Sequence, residues 1–469
     1  MSNASVASGA GHLTGFGSKG YRTYVLLTLT FVYTLNFIDR ILISVVSRPI
    51  IDEFQLSNFE FGLLSGIGFA LFYTLLGIPI ANISERVNRV RIIGACVILW
   101  SAATMLCGFT FGFLSLLFAR MLVGIGEAGC TPPANSLISD YYKPLSRPTA
   151  LGIYSMGVTA GGMLAQLFGG SLLKIFTWRE AFIFVGAPGV LIGLLVLFTI
   201  KEPPRGYSDP PGTDKTEKAS IGDALKVISS KPTFWWMTAG ATITAFAGYG
   251  MINFQPLFIQ YAKGFSPGDT AIQFMAFFAL TGTLGTFLGG YVTEHASKFS
   301  KTAPCWVPGV GLLAAAPVQF FAYFTGNLPL MFFLMAFGAI LQYFYLSAQY
   351  NIAQAVVSLR VRATAVAIML FIANIIGYGA GPAVVGYIAD YFTMSQISVT
   401  DFAGQLSADC SLDPEKTEPV LREACLAAKA HGVRWANAIA TLLFAFGGLA
   451  YLLAGRTYVK DSTLIKDAQ

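Results

Sequence analysis

Apolar residues in this chain come in long blocks separated by short polar stretches. Each block runs roughly 20 residues or more, which as helix crosses the ~30 Å hydrocarbon core of a bilayer. Twelve blocks can be marked, at 22–47, 58–83, 90–111, 113–138, 148–175, 180–200, 233–261, 270–292, 303–325, 328–356, 362–390 and 434–455. Such segments cross as helices, because lipid offers the backbone no hydrogen-bond partner. The pattern predicts an all-α integral membrane protein with twelve spans.

Two polar interruptions set the organisation. The stretch from Lys201 to Lys231 holds Pro203, Pro204, Pro210 and Pro211 and reads as a linker between two groups of six spans. A second polar insert precedes the last span. The predicted layout is a tail at 1–21, a bundle at 22–200, a linker at 201–232, a bundle at 233–455 with an insert at about 391–433, and a tail at 456–469.

The halves echo one another. Ala81-Asn-Ile-Ser-Glu85-Arg86-Val-Asn-Arg89 follows span 2, and Gly290-Tyr-Val-Thr-Glu294-His295-Ala-Ser-Lys298 follows span 8. Span 5 opens Arg147-Pro-Thr-Ala150-Leu-Gly152, and span 11 opens Arg362-Ala-Thr-Ala365-Val-Ala367. Matches at equivalent places point to a duplicated six-helix unit. Paired halves of this kind are a transporter architecture, with the site near the midplane between them.

Composition agrees. Of 469 residues, 55% are hydrophobic and 12% charged, against about 25% charged in soluble domains. The net charge of +6 sits in short loops, with no basic run interleaved with aromatics, so no nucleic-acid partner is expected. Met1 to Lys19 lacks an apolar core, which argues against a cleaved signal and leaves the first span to direct insertion. With the N-terminus inside, twenty Lys and Arg face the cytoplasm and eight the outside. That bias predicts a multi-pass protein of a bacterial inner membrane with both termini cytoplasmic. The insert then faces an oxidising space, where Cys410 and Cys425 either form a disulfide or remain free thiols. Cys96, Cys107, Cys130 and Cys305 lie in apolar blocks, and His12, His295 and His431 are scattered. No metal site, cofactor or nucleophile–base arrangement is expected, and so no enzyme.

Asp39 and Arg40 in span 1, and Arg120 and Glu127 in span 4, are ionisable residues within apolar blocks. A charge at the bilayer centre costs at least ~2.5 kcal/mol and normally marks a partner or a watery cavity. Arg120 and Glu127 are seven apart and share a helix face. Asp39 and Arg40 point about 100° apart, so at most one faces a cavity squarely. One reading is a cluster that only packs the N-terminal half. Function is the better reading, because a whole buried ion pair can often be replaced by apolar residues at no cost in stability. The second half offers Tyr249, Asn253, Gln255, Gln342, Tyr343, Tyr345, Gln349 and Asn374 among many Phe and Leu. One charged wall and one neutral, aromatic wall would suit an amphipathic cargo with an anionic head. Helix packing explains such aromatics equally well. Glycines at 124, 126 and 129, and in spans 5 and 11, read chiefly as close helix contacts. Glu85, Arg86 and Arg89, with Glu294 in the other half, read as a cytoplasmic charge latch or as a solvated loop that fixes topology.

These residues resemble a known superfamily. The loop after span 2 is similar to the major facilitator motif Gly-x-x-x-Asp-Arg-x-Gly-Arg, with Ala81, Glu85 and Asn88 as departures. Arg120-Met-Leu-Val-Gly124-Ile-Gly126 matches the superfamily's span 4 motif Arg-x-x-x-Gly-x-Gly, whose arginine lines the cavity and is tied to proton coupling. Asn36-Phe-Ile-Asp39-Arg40 resembles the Asn-Tyr-Met-Asp-Arg signature of the Spinster family, as does Glu127-Ala-Gly129 after Gly124. The resemblance implies the major facilitator fold, with twelve helices in two pseudo-symmetric bundles. It also implies a sphingoid phosphate or lysophospholipid cargo, a proton partner and alternating access by a monomer. Asp39 and Glu127 are then the proton-coupling carboxylates. Arg40, Arg120, Tyr343, Tyr345, Asn253 and Asn374 are the cargo-binding candidates. A transporter of small organic anions or sugar acids fits the same charges, and a non-transporting receptor is a further alternative.

Overall fold

The computed structural model describes residues 14–84, 86–209, 221–358, 361–400 and 419–462. Every regular element among them is helical. Span 1 is Lys19–Val45, followed by a short helix Ser47–Phe54. Span 2 is Asn58–Ser65 continued by Ile67–Ser84, span 3 is Arg89–Cys107, and span 4 is Phe113–Ala128 continued by Thr131–Tyr141. Spans 5 and 6 are Arg147–Leu172 and Trp178–Thr199. The linker contains the helix Ile221–Ser229, and span 7 is Pro232–Lys263. Span 8 passes through a π-helical turn, Thr270–Met275, into Ala276–Ser297. Span 9 is Ala303–Ala322, and span 10 is Leu328–Gln342 continued by Tyr345–Ala355. Span 11 runs Arg362–Ile372, a π-helical stretch Ala373–Ala380, and Gly381–Ile397; span 12 is Pro419–Asp461.

Local chemistry sets the ends. Ser57 and Glu60 form a capping box at the start of span 2, and Thr177 and Glu180 form one at span 6. Such boxes satisfy amide donors that a helix leaves unpaired. Asn88 caps span 3 by accepting from the Arg91 amide, and Asn327 caps span 10. Span 4 breaks at Gly129–Cys130, just before Pro132 and Pro133, which cannot continue an amide ladder.

Eleven helices among the described residues are long and apolar enough to cross a membrane. The twelfth expected span, Pro232–Lys263, has 32 residues, about 48 Å at 1.5 Å per residue. Its Thr233, Thr238, Thr242, Thr244, Asn253 and Gln260 are buried within the protein, which lowers its apolarity without exposing polar groups to lipid. Large apolar side chains such as Phe118, Phe198 and Phe287 lie exposed on the outside of the helices, as lipid contact requires. The polar stretch expected at 391–433 is helical at both ends, since span 11 continues to Ile397 and span 12 starts at Pro419.

The helices form two compact units. Unit 1 is Met1–Val46 with Gly68–Thr216, and unit 2 is Ser47–Ile67 with Glu217–Gln469. In unit 1, span 5 packs along span 1, and span 3 packs against spans 4 and 6. In unit 2, span 12 packs against spans 7, 9 and 11. The first part of span 2, Asn58–Ser65, belongs to unit 2, although the sequence groups it with the first six spans. Asp390 of span 11 holds it there, accepting from the Asn58 amide at 3.0 Å, the Asn58 side-chain Nδ2 at 2.8 Å and the Phe59 amide at 2.9 Å. A Cβ at Gly62 would collide with the Pro382 carbonyl oxygen, so only glycine permits this approach.

Candidate functional site

In unit 1, the four charges foreseen in spans 1 and 4 form one cluster. Asp39, Arg120 and Glu127 are buried at 2%, 0% and 1% exposure. Each carboxylate lies within electrostatic reach of both arginines. Arg40 Nε donates to Glu127 Oε2 at 2.6 Å. Its guanidinium also lies 4.2 Å from the centre of the Tyr73 ring and 5.0 Å from that of Phe69. Asp39 turns the other way along the helix, as adjacent positions must, and meets the Thr104 hydroxyl of span 3.

Arg120 is different. It is fully buried, and none of its three guanidinium nitrogens makes a hydrogen bond among the described residues. Its guanidinium lies over Phe69, with the ring centre 5.3 Å from Cζ. Phe69 therefore stands against both arginines. Backbone packing puts it there, because a Cβ at Gly124 would sit 2.6 Å from the Phe69 carbonyl oxygen. The first glycine of the span 4 motif thus lets span 2 close in.

Among the second-half candidates, Tyr343 and Tyr345 lie near one another and near Tyr249. Tyr343 sits at the break in span 10, and Asn374 lies in the π-helical stretch of span 11. Asn253 is buried and its side-chain amide donates to the Tyr249 carbonyl oxygen at 2.9 Å, on its own helix.

The loop residues separate. Arg89 is 1% exposed and pairs with Asp140 at 2.5 Å and Glu202 at 2.6 Å. It also donates to Ser136 Oγ and to the Pro203 carbonyl oxygen. It therefore binds the start of span 3 to the end of span 4 and to the chain leaving span 6, all in unit 1. Arg86 and Glu294 are exposed and form no ion pair among the described residues. Glu85 lies outside those residues. Cys425 is disulfide-bonded, and Cys410, its expected partner, lies outside the described residues.

Sequence reasoning missed Thr104, Phe69, Tyr73, Asp140 and Glu202. Nothing in the sequence marks one threonine or one aromatic within an apolar block as a partner of a charge far along the chain. Asp140 and Glu202 carried a weak signal, as acids at the ends of spans 4 and 6 near a loop arginine.

The sequence profile of the Major Facilitator Superfamily matches residues 29–382. A solved structure of a bacterial homolog of the human lysosomal transporter Spinster, inward-facing and unoccupied, is 43% identical. It superposes with a TM-score of 0.88, covering 95% of this chain and 99% of that one. The chain belongs to the Spinster family of the major facilitator superfamily. The inward-facing, occupied form of a bacterial Spinster homolog superposes with a TM-score of 0.85 over 95% of this chain and 99% of that one, also at 43% identity. An MFS-type efflux pump of Mycolicibacterium smegmatis is 29% identical over 78% of this chain and 84% of its own length. Protein spinster of Drosophila melanogaster is 28% identical over 78% of this chain, which spans 62% of that protein. This Spinster-family chain is a multi-pass membrane transporter and not an enzyme. The motif residues that carried the resemblance, Asn36, Asp39, Arg40, Arg120 and Glu127, are those that meet in unit 1; Asn36 lies beside Glu127.

Proposed function

We propose that this Spinster-family protein is a proton-coupled secondary transporter working by alternating access. Its cargo is an amphipathic molecule with an anionic or zwitterionic head, a lysophospholipid or a sphingoid phosphate. The observation that carries this reading is Arg120, a fully buried guanidinium with no hydrogen-bond acceptor among the described residues. Its planar fork is matched to a phosphate or carboxylate, which it can grip through two parallel bonds. Arg40 is already tied to Glu127, so Arg120 is the arginine open to cargo.

Hydrogen-bond counting supports a proton role for Asp39. The Thr104 hydroxyl has one hydrogen but meets two acceptors, Asp39 Oδ2 and the Trp100 carbonyl oxygen at 3.0 Å. A proton on Asp39 satisfies both contacts: Asp39 donates to Thr104, and Thr104 to Trp100. Without it one contact is unmade. A nearby arginine stabilises an ionised carboxylate. Cargo that neutralises Arg120 therefore weakens the hold on the ionised forms of Asp39 and Glu127 and draws a proton in. Tyr343, Tyr345 and the surrounding aromatics supply a neutral surface for an apolar tail. The Lys and Arg bias supports cytoplasmic termini in a bacterial inner membrane, with the monomer as working unit. The Arg89 tie to Asp140 and Glu202 is the part of the proposed cytoplasmic latch with its partners in view.

The test is proton movement in proteoliposomes with a trapped pH dye, started by adding lysophosphatidylglycerol. A signal in the parent protein that is lost in Asp39→Asn, with unchanged melting temperature, is the expected result. An undiminished signal in Asp39→Asn would remove Asp39 from the coupling. No signal with the lysolipid, but one with gluconate, would favour the small organic-anion reading.

A further inference from the structure

We infer that unit 2 carries a second anion site, separate from the charges of unit 1, that binds a phosphate-type oxyanion. It lies at the end of the unit remote from Asp461. Thr233, at the start of span 7, bonds to Asp461 at the end of span 12. Tyr261 is 28 residues along the same helix, about 42 Å away at 1.5 Å per residue, and span 12 begins at that same far end.

Three cations share one aromatic wall there. Arg48 Cζ lies 5.1 Å from the centre of the Tyr261 ring, and Lys429 Nζ lies 5.8 Å from the same ring. Phe258, three positions earlier and on the same helix face, has Arg434 Cζ at 6.0 Å. Tyr323, which caps the C-terminal end of span 9, packs edge-on against Phe258, with ring centres 5.0 Å apart. These cations come from two separate parts of the chain: the connection after span 1 and two positions on span 12. Arg48 has a carboxylate, Asp52, at 3.5 Å. Lys429 is 8% exposed.

Polar satisfaction gives the second argument. Tyr261 Oη, Tyr323 Oη and Arg434 Nε are buried and make no hydrogen bond among the described residues. All three can donate. A buried donor without an acceptor is costly, and rings satisfy charge without offering a lone pair in the right place. One oxyanion with several oxygens supplies acceptors to hydroxyls and guanidinium together. Arg48 stays a quarter exposed, which gives the site an opening to solvent. A lipid head group and free inorganic phosphate carry the same chemistry.

The test uses the full chain in non-ionic detergent, binding radiolabelled phosphatidylglycerol. The double variant Lys429→Gln/Arg434→Gln should weaken binding by about tenfold or more, the scale of a lost charged hydrogen bond. Tyr261→Phe keeps the ring, removes only the hydroxyl, and should weaken binding severalfold with no change in melting temperature. Displacement of the label by unlabelled phosphatidylglycerol but not by inorganic phosphate assigns the head group. Displacement by both assigns free phosphate as a sufficient ligand, and either result supports the site. Equal binding by the parent, the double variant and Tyr261→Phe, or no saturable binding by the parent, would overturn it.

Discussion

Arg40 is held from two directions: Glu127 accepts its Nε at 2.6 Å, and Tyr73 lies 4.2 Å beneath the guanidinium. Breaking such a pair from one side leaves a charge in a low-dielectric interior. Removing one partner of a buried pair costs about 3–5 kcal/mol, whereas replacing both with apolar residues of similar size is often neutral. This difference separates a structural role from a functional one. Glu127→Ala should lower the melting temperature in detergent sharply. Arg40→Met/Glu127→Leu should recover most of that loss and still fail to move protons with cargo. A stable double variant that keeps full proton-linked transport would show that the pair only packs the helices.

At the scale of elements, the first part of span 2 is governed by one carboxylate. Asp390 answers two backbone amides and one side-chain amide at the start of that helix. Loss of a helix N-cap costs about 0.5–2 kcal/mol. The buried Asn58 side chain would add to that by losing its acceptor. Asp390→Ala should therefore loosen the segment while the rest of unit 2 stays folded. The readout is maleimide labelling of Leu56→Cys, since Leu56 is 4% exposed in the intact segment. Labelling should speed up in the Asp390→Ala background; an unchanged rate would mean that apolar and glycine contacts alone hold the segment. Arg89 serves a similar purpose in unit 1, where one side chain joins three chain segments that the sequence keeps far apart.

For the molecule as a whole, the helices were legible because lipid forces long apolar blocks, and block length survives any detail of packing. Positions of the charges within spans were legible for the same reason: an ionisable residue stands out against apolar neighbours. Pairing was not. Arg40 and Glu127 are 87 positions apart, and only the fold decides that Arg40 rather than Arg120 takes the carboxylate. The membership of Ser47–Ile67 in unit 2 was hidden too, because it depends on Asp390, a single acid near the end of span 11. Apolarity marked span 7 despite its polar side chains, which are turned inward, and missed the ends of span 12, whose helix continues well past its apolar stretch.

The coupling itself is read most directly as proton uptake on cargo binding. Purified protein in weakly buffered detergent, with a pH indicator, is titrated with lysophosphatidylglycerol, whose phosphodiester does not titrate near neutral pH. Net proton uptake that saturates with binding, and is absent in Asp39→Asn, is the result expected if cargo and the carboxylates compete for the same arginines. Saturable binding with no proton uptake, or with proton release, would contradict it.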